Sequence, residues 1–266
     1  MRALDHTPGY PAVLHYFSRT PPSDMSQVPA GFRCYQQKGS QIMSLYNKHI
    51  LPRIVDCGCG GQAFEGQRKR IVPQAHGVVL DLGIGTGLNI PLYDATKVTK
   101  VIGLDPCGTS LKMAAKVAAE SNIGCEFIRA KGEDIPLSDR SVDTVVLTYT
   151  LCTVENVDAV IREIRRVLHP DGEVLFCEHV RAPSSWISRL QTIANRPWSV
   201  LFGGCRLDRR AATAFRRSKF RVVADTARLR GAPAPIAWQT TGQARPLKAG
   251  ELADHCPTGP KLALSI

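Results

Sequence analysis

From about residue 77 onward the apolar positions of this chain fall into two alternating patterns. Short continuous runs occur at 78–82 (VVLDL), 101–104 (VIGL), 126–128 (EFI), 143–148 (DTVVLT) and 173–177 (EVLFC). Runs of this kind predict strands buried on both faces of a parallel sheet, because such strands have no solvent face to receive polar side chains. Between them the spacing turns helical: Leu111, Ala114, Ala115 and Ala118 share one face, as do Val157, Val160, Ile161, Ile164 and Val167. Thr109 or Ser110 is the expected cap of the first of these helices and Asn122 with Gly124 its stop, while HPDG at 169–172 is the expected stop of the second. A further helix is expected to open at 88–93, and segments 220–225 and 235–243 are the last candidate strands. Strands alternating with helices through short loops predict an α/β fold: a doubly wound, mostly parallel, seven-stranded Rossmann-like sheet with helices on both faces.

The flanks are organised differently. Residues 1–41 carry Pro8, Pro11, Pro21, Pro22 and Pro29 without sustained periodicity, the pattern of a flexible leader in which Met25 is an alternative start, as is Met43 just beyond it. A helical pattern runs from Ile42 through Leu45, Tyr46 and Ile50 to Pro52, and Gly58, Gly60 and Gly61 then predict a loop-like or poorly formed stretch up to Pro73. At 184–217 the βα rhythm is interrupted by Trp186, Ile187, Leu190, Ile193 and Ala194 at helical spacing, then Pro197 and Trp198, which reads as a helical cap insertion. The expected organisation is a leader (1–41), one domain (42–245) and a loose tail (246–266).

Composition narrows the partners. Lys and Arg number 34 against 23 Asp and Glu, a net charge of +11 that suits an anionic substrate, a nucleic acid or a membrane surface. The basic residues crowd into 181–230 without interleaved aromatic side chains, so nucleic acid is not expected and peripheral membrane contact through this region is a candidate. No stretch approaches the roughly 18 consecutive apolar residues of a membrane span, and a cytoplasmic or membrane-peripheral protein is expected. Nine scattered cysteines do not form a disulfide framework, and CGCGG at 57–61 has no second Cys or His pair at zinc spacing, so no metal is expected.

Candidate chemistry gathers where the predicted strands end, since ligands in a doubly wound sheet sit beyond the carboxyl ends at the point where strand order reverses. Gly83, Gly85 and Gly87 follow the first strand and let a ligand approach the main chain with no Cβ in the way. Asp105 ends the second strand 24 residues after Asp81, close to the spacing at which an acid accepts hydrogen bonds from a ribose diol. A dinucleotide fingerprint requires Gly at 88, where this chain has Leu88. Asp81 beside the turn disfavours a pyrophosphate and favours a cofactor bearing sulfonium and ammonium charges, so S-adenosylmethionine fits better than NAD.

In this order and spacing, DLGIGTGLN (81–89), VIGLDP (101–106), EDIPLSDRSVDTVV (133–146), REIRRVLHPDG (162–172) and LFCEH (175–179) resemble the class I S-adenosylmethionine-dependent methyltransferases. The closest likeness is to bacterial quinone and phospholipid methyltransferases and to animal thiol methyltransferases, with GGCRLDR (203–209) adding to it. The resemblance implies that Asp81, Gly83, Gly85 and Gly87 meet the cofactor's amino-acid end and that Asp105, followed by Pro106, holds the ribose. It further implies that Gly132 and Glu133 border the adenine and that Thr148 lies beneath the methyl group. Lys131 departs from the Asp of many relatives, which removes a side-chain contact to the adenine amine.

Glu178 and His179, polar residues just past an apolar strand, are candidate general bases or, alternatively, pins for the next loop. Cys152, Trp186, Gln191, Trp198 and Cys205 are the candidate lining of an apolar acceptor pocket. The expected activity is methyl transfer to a small, apolar or lipid-like acceptor (thiol, phenol or quinone, or amine). An NAD-dependent oxidoreductase and a non-catalytic cofactor-binding relative remain as alternatives, and the oligomeric state is left open.

Overall fold

The structure, a computed structural model, describes residues 61–229, 232, 234 and 236–248. The leader, the helical pattern at 42–50, Cys57, Cys59 and the chain beyond 248 lie outside the described residues.

Seven strands form one sheet: β1 (Gly77–Leu82), β2 (Val98–Leu104), β3 (Cys125–Ile128), β4 (Val142–Thr148), β5 (Leu168–His179), β6 (Phe220–Arg228) and β7 (Trp238–Pro246). Their order is β3-β2-β1-β4-β5-β7-β6. Strands β1 to β5 pair in parallel, while β7 runs antiparallel between β5 and β6. Order reverses between β1 and β4, which opens the crevice where ligands bind in this architecture. The helices are α1 (Gln62–Ile71), α2 (Gly108–Ala119), α3 (Val157–Val167), α4 (Ser185–Leu201) and α5 (Ala211–Arg217).

The core has two layers because the period-2 geometry of a strand sends successive side chains to opposite faces. Leu80 and Leu82 of β1 join Ile102, Leu104, Phe176, the α3 stripe and Phe215 on one face. Val79 joins Val101, Val146, Leu175, Leu111 and Ala114 on the other. Each such fully enclosed side chain contributes roughly 1.5–3 kcal/mol of burial, so the unbroken apolar runs supply the stability of both layers. Helix α3 is capped by Asn156, whose side-chain oxygen accepts from the Ala159 N–H at 3.0 Å. Its Arg166 donates to the carbonyls of Ile135 and Leu137, both at 2.7 Å, and clamps the 133–139 loop to the helix.

Five local expectations are corrected. Residues 62–71 form a helix, since Phe64 packs into the layer beneath the sheet and tertiary burial outweighs the glycines before it. The segment at 88–93 holds only a 3-10 turn at Ile90–Leu92, because the side chains of Asn89 and Tyr93 are drawn inward to Asp81. Helix α2 begins at Gly108 without a Thr109 or Ser110 cap; the Asp105 carboxylate accepts from the Cys107 N–H at 2.7 Å and does that work from the strand side. HPDG lies within β5 and not at a helix stop: Leu168 already pairs with Val142, and the register shift between Val142 and Thr144 absorbs 169–172 as a bulge. The last strand is offset to Trp238–Pro246.

Candidate functional site

The glycine turn after β1 is held by left-handed backbone at Gly83, Gly85 and Gly87, with φ of 75°, 56° and 91°. The three differ in surroundings. A Cβ on Gly83 collides with the Thr150 hydroxyl, and one on Gly87 meets Ile90 at 2.9 Å and the Ala114 backbone at 3.0 Å. A Cβ on Gly85 has nothing nearer than 3.9 Å, so Gly83 and Gly87 are packing requirements and Gly85 faces open space. Asp105 sits opposite. Its oxygens accept from the Gly85 N–H at 3.1 Å and the Cys107 N–H at 2.7 Å, which ties the turn to the start of α2. Each carboxylate oxygen retains a second lone pair for a hydroxyl of a ribose. Burial pushes the Asp105 carboxyl above its ordinary range, against the pull of the two N–H groups.

Asp81 lies beneath the turn and has no exposed surface. Asn89 Nδ2 donates to both its oxygens at 3.1 Å and Tyr93 Oη to Oδ2 at 2.8 Å. Desolvation raises its pKa to about 6 in spite of these donors. Asn89 also reaches the Thr148 hydroxyl at 3.1 Å, so Asp81, Thr148 and the glycine turn are joined through one amide that the sequence reading passed over. Pro106 is exposed, and its carbonyl accepts from Arg129 Nε at 3.2 Å. Gly132 is buried against Leu82 and Val160. The Glu133 side chain accepts from the N–H groups of Glu155 and Asn156 at 3.0 and 3.2 Å, at the head of α3, and Lys131 pairs with Glu155 at 3.1 Å.

The loop after β4 is bent by Tyr149, a non-glycine residue at φ of 60°, fixed by its N–H to the Cys177 carbonyl at 2.8 Å and its hydroxyl to Gln239 at 2.7 Å. Beyond it, Glu178 receives three backbone N–H groups, from Thr150 and Leu151 at 2.8 Å and Cys152 at 3.1 Å. Burial pushes its carboxyl up to about 7 while those donors hold it down. Both oxygens of Glu178 are thus committed to the loop. His179 lies 3.9 Å through Nδ1 from both Cys152 Sγ and Cys205 Sγ, and the two sulfurs are 3.6 Å apart. Contact with Cys152, then with His179 and the Trp198 indole, lowers the Cys205 thiol pKa against the opposing effect of burial. The spacing argument that led to no expected metal considered neighbouring residues alone, and these three soft donors come from segments 26 or more residues apart.

The remaining pocket candidates scatter. Trp186 is 63% exposed on α4, away from any lining position. Gln191 is fully enclosed and braces the chain, accepting from the Ala182 N–H at 2.8 Å and donating to the Val180 carbonyl at 3.1 Å. Trp198 stacks on Phe202 with ring centroids 3.9 Å apart. Three residues unremarked in the sequence surround His179 and Tyr149 instead. Phe64 meets both rings edge-on, and Arg68 lies 5.1 Å over the Tyr149 ring. Their i, i+4 spacing on α1 was the available signal, hidden by the glycines at 58–61.

This arrangement fits a cofactor with a ribose and a small cationic end: open space over Gly85, an acid at Asp105 and no glycine at 88 for a dinucleotide. A family model described as a methyltransferase domain matches residues 80–176, from mid-β1 into β5. The human thiol S-methyltransferase TMT1A is 33% identical over 199 residues, 73% of this chain and 77% of that protein. The ubiquinone/menaquinone biosynthesis C-methyltransferase UbiE of Rubrivivax gelatinosus is 32% identical over 115 residues, 43% of this chain and 44% of its own length. The fold is shared with 1,6-didemethyltoxoflavin-N1-methyltransferase of Burkholderia thailandensis at a TM-score of 0.56 and 16% identity, over 79% of this chain and 87% of that one. The cofactor is S-adenosylmethionine, which displaces the NAD alternative. The chain belongs to the class I S-adenosylmethionine-dependent methyltransferases.

Proposed function

We propose that this methyltransferase acts on the sulfur of a small apolar thiol. The observation that carries the reading is the reach of the likeness to a protein named as a thiol S-methyltransferase: it spans 199 residues and so extends well outside 80–176, whereas the quinone C-methyltransferase matches over 115. S-adenosylmethionine supplies a methyl group on a sulfonium, a leaving group that needs no proton. The acceptor sulfur forms a bond to the methyl carbon as the sulfonium bond breaks, S-adenosylhomocysteine departs, and the thiol proton passes to solvent. The protein's part is geometric. Asp105 would hold the ribose, the open face of Gly85 would admit the amino-acid end, and Glu178 fixes the 150–152 backbone at the border of the acceptor space. In this reading Glu178 positions the loop and is not the base.

Trp186, Ile193 and Val200 are 63%, 74% and 58% exposed along α4, with Arg189 and Arg196 exposed on the same helix. That combination supports delivery of an apolar acceptor, and peripheral membrane contact, along this face. No helix among the described residues is long and apolar enough to cross a membrane. The test of acceptor class is S-adenosylhomocysteine release with parallel panels of alkyl and aryl thiols, quinols and amino lipids. Turnover of thiols with none of the other two is expected, and turnover of quinols alone overturns the reading.

A further inference from the structure

Cys152 in the loop after β4, His179 at the end of β5 and Cys205 in the loop after α4 meet in the interior, at 1%, 5% and 6% exposure. Their three candidate ligand atoms, two Sγ and Nδ1, all lie within 4.8 Å of one another. The separations are 3.6 Å between sulfurs and 3.9 Å from each sulfur to the imidazole. Tetrahedral zinc with bonds of about 2.3 Å to sulfur and about 2.0–2.1 Å to nitrogen requires separations of roughly 3.8 Å and 3.6 Å. Shifts of a few tenths of an ångström therefore bring all three onto one ion. The cluster is poorly satisfied without one. Among the described residues neither nitrogen of His179 has an oxygen partner, and Nε2 has no hydrogen-bond partner at all. An enclosed imidazole facing only two long sulfur contacts is costly unless something binds between them.

We propose that Cys152, His179 and Cys205 are a zinc site with three protein ligands, whose fourth position takes an exogenous thiolate. Two sulfurs and one imidazole are the donor set that tetrahedral zinc favours, and three protein ligands leave one position open. The site is rigidly framed: Glu178 holds the backbone of 150–152, and the Thr150 hydroxyl donates to the Leu82 carbonyl at 2.9 Å, beside the glycine turn. The zinc ligands would thus border the cofactor groove. The thiolate at the fourth position rests on the proposed thiol acceptor, whereas the metal site does not.

The test begins with the full chain purified without chelators or metal-affinity resin. Elemental analysis is expected to give about one zinc per chain, and zinc absorption spectroscopy a shell of two sulfurs with nitrogen. Cys152→Ser and Cys205→Ser are expected to lose most of the metal while retaining calorimetric S-adenosylmethionine binding, which reports folding. Should either variant fail to fold, the wild-type absorption spectrum decides alone. Metal-free protein with both thiols open to alkylation, or a Cys152–Cys205 disulfide found by mass, overturns the site. Cobalt-loaded protein is expected to shift its visible bands when 2-mercaptoethanol is added. Metal retained without a shift, while alkyl thiols are methylated, overturns the fourth-position assignment. A shift with no thiol methylated leaves the metal site standing and overturns the acceptor reading.

Discussion

Asp81→Asn separates the cost of a buried charge from the packing around it. Asp81 is fully enclosed, and burial raises its pKa from 3.8 to about 6 although Asn89 and Tyr93 both donate to it. Because the folded pKa lies above the unfolded one, the folded state binds more protons between those values, and stability falls as pH rises through that window. Below about pH 4 both states are protonated and the group costs nothing; above about pH 6 both are ionised and the full penalty, roughly 3 kcal/mol, is present. Between about pH 4.5 and about pH 7.5 the wild type should lose roughly 2 kcal/mol through this group alone. Asparagine keeps an oxygen for Asn89 and cannot ionise. Urea unfolding of both proteins at the two pH values, without cofactor, gives the stability difference at each, and contributions from other titrating groups cancel in the comparison. The variant should gain on the wild type by about 2 kcal/mol as pH rises. Parallel stability profiles would refute the assignment of an ionised, desolvated carboxylate beneath the turn.

Other substitutions probe the groove and its frame. Gly85→Ala, at φ of 56° with no atom within 3.9 Å of the new Cβ, should cost about 1 kcal/mol of stability yet weaken S-adenosylmethionine binding at least about tenfold by calorimetry. Gly83→Ala, which drives a methyl into the Thr150 hydroxyl, should instead lower the melting temperature first; the reverse ranking would show that the two glycines have been misassigned. Asp105→Ala removes the acceptor for two N–H groups and for the ribose, and a cofactor affinity lowered less than about fivefold would exclude its binding role. Glu178→Ala strands three buried N–H groups at 150–152 and should cost at least about 3 kcal/mol in urea unfolding, with a loss under about 1 kcal/mol counting against the loop-pinning role. Replacing Trp186 and Ile193 together by serine should reduce co-sedimentation with anionic vesicles while leaving the melting temperature within a degree or two; unchanged sedimentation would exclude α4 as the contact face.

The parts of this protein that were legible in its sequence are those specified by local periodicity. The runs at 78–82, 101–104, 143–148 and 173–177 are strands because a strand enclosed on both faces has no polar alternation to obscure. The glycine turn and Asp105 were legible because a strand end followed by such residues permits few geometries. What escaped notice depends on side chains distant in sequence. The tie from Asn89 to Thr148 spans 59 residues, and Cys152 and Cys205 stand 53 apart, so no window of spacing contains either. HPDG was misread for a related reason: Pro and Gly end helices in isolation, but here the backbone of 168–172 is drawn to β4 by the pairing of Leu168 with Val142.

Two enclosed carboxylates frame the crevice, Asp81 at the end of β1 and Glu178 at the end of β5, with β4 between them. Each is held above its ordinary pKa by burial, and each places its oxygens on protein donors: Asp81 on Asn89 and Tyr93, Glu178 on the 150–152 backbone. Neither is arranged to exchange a proton with a ligand in the open groove. Their shared effect is to immobilise the two loops that meet at Thr148 and Thr150, and the left-handed Tyr149 between those threonines persists only because its N–H and hydroxyl are both anchored. Methyl transfer from a sulfonium asks the protein chiefly for position, since the leaving group needs no acid. A scaffold that commits its buried charges to loop geometry suits that demand. Any help in deprotonating or holding the acceptor must then come from groups not already committed, and beside this frame those are Cys152, His179 and Cys205.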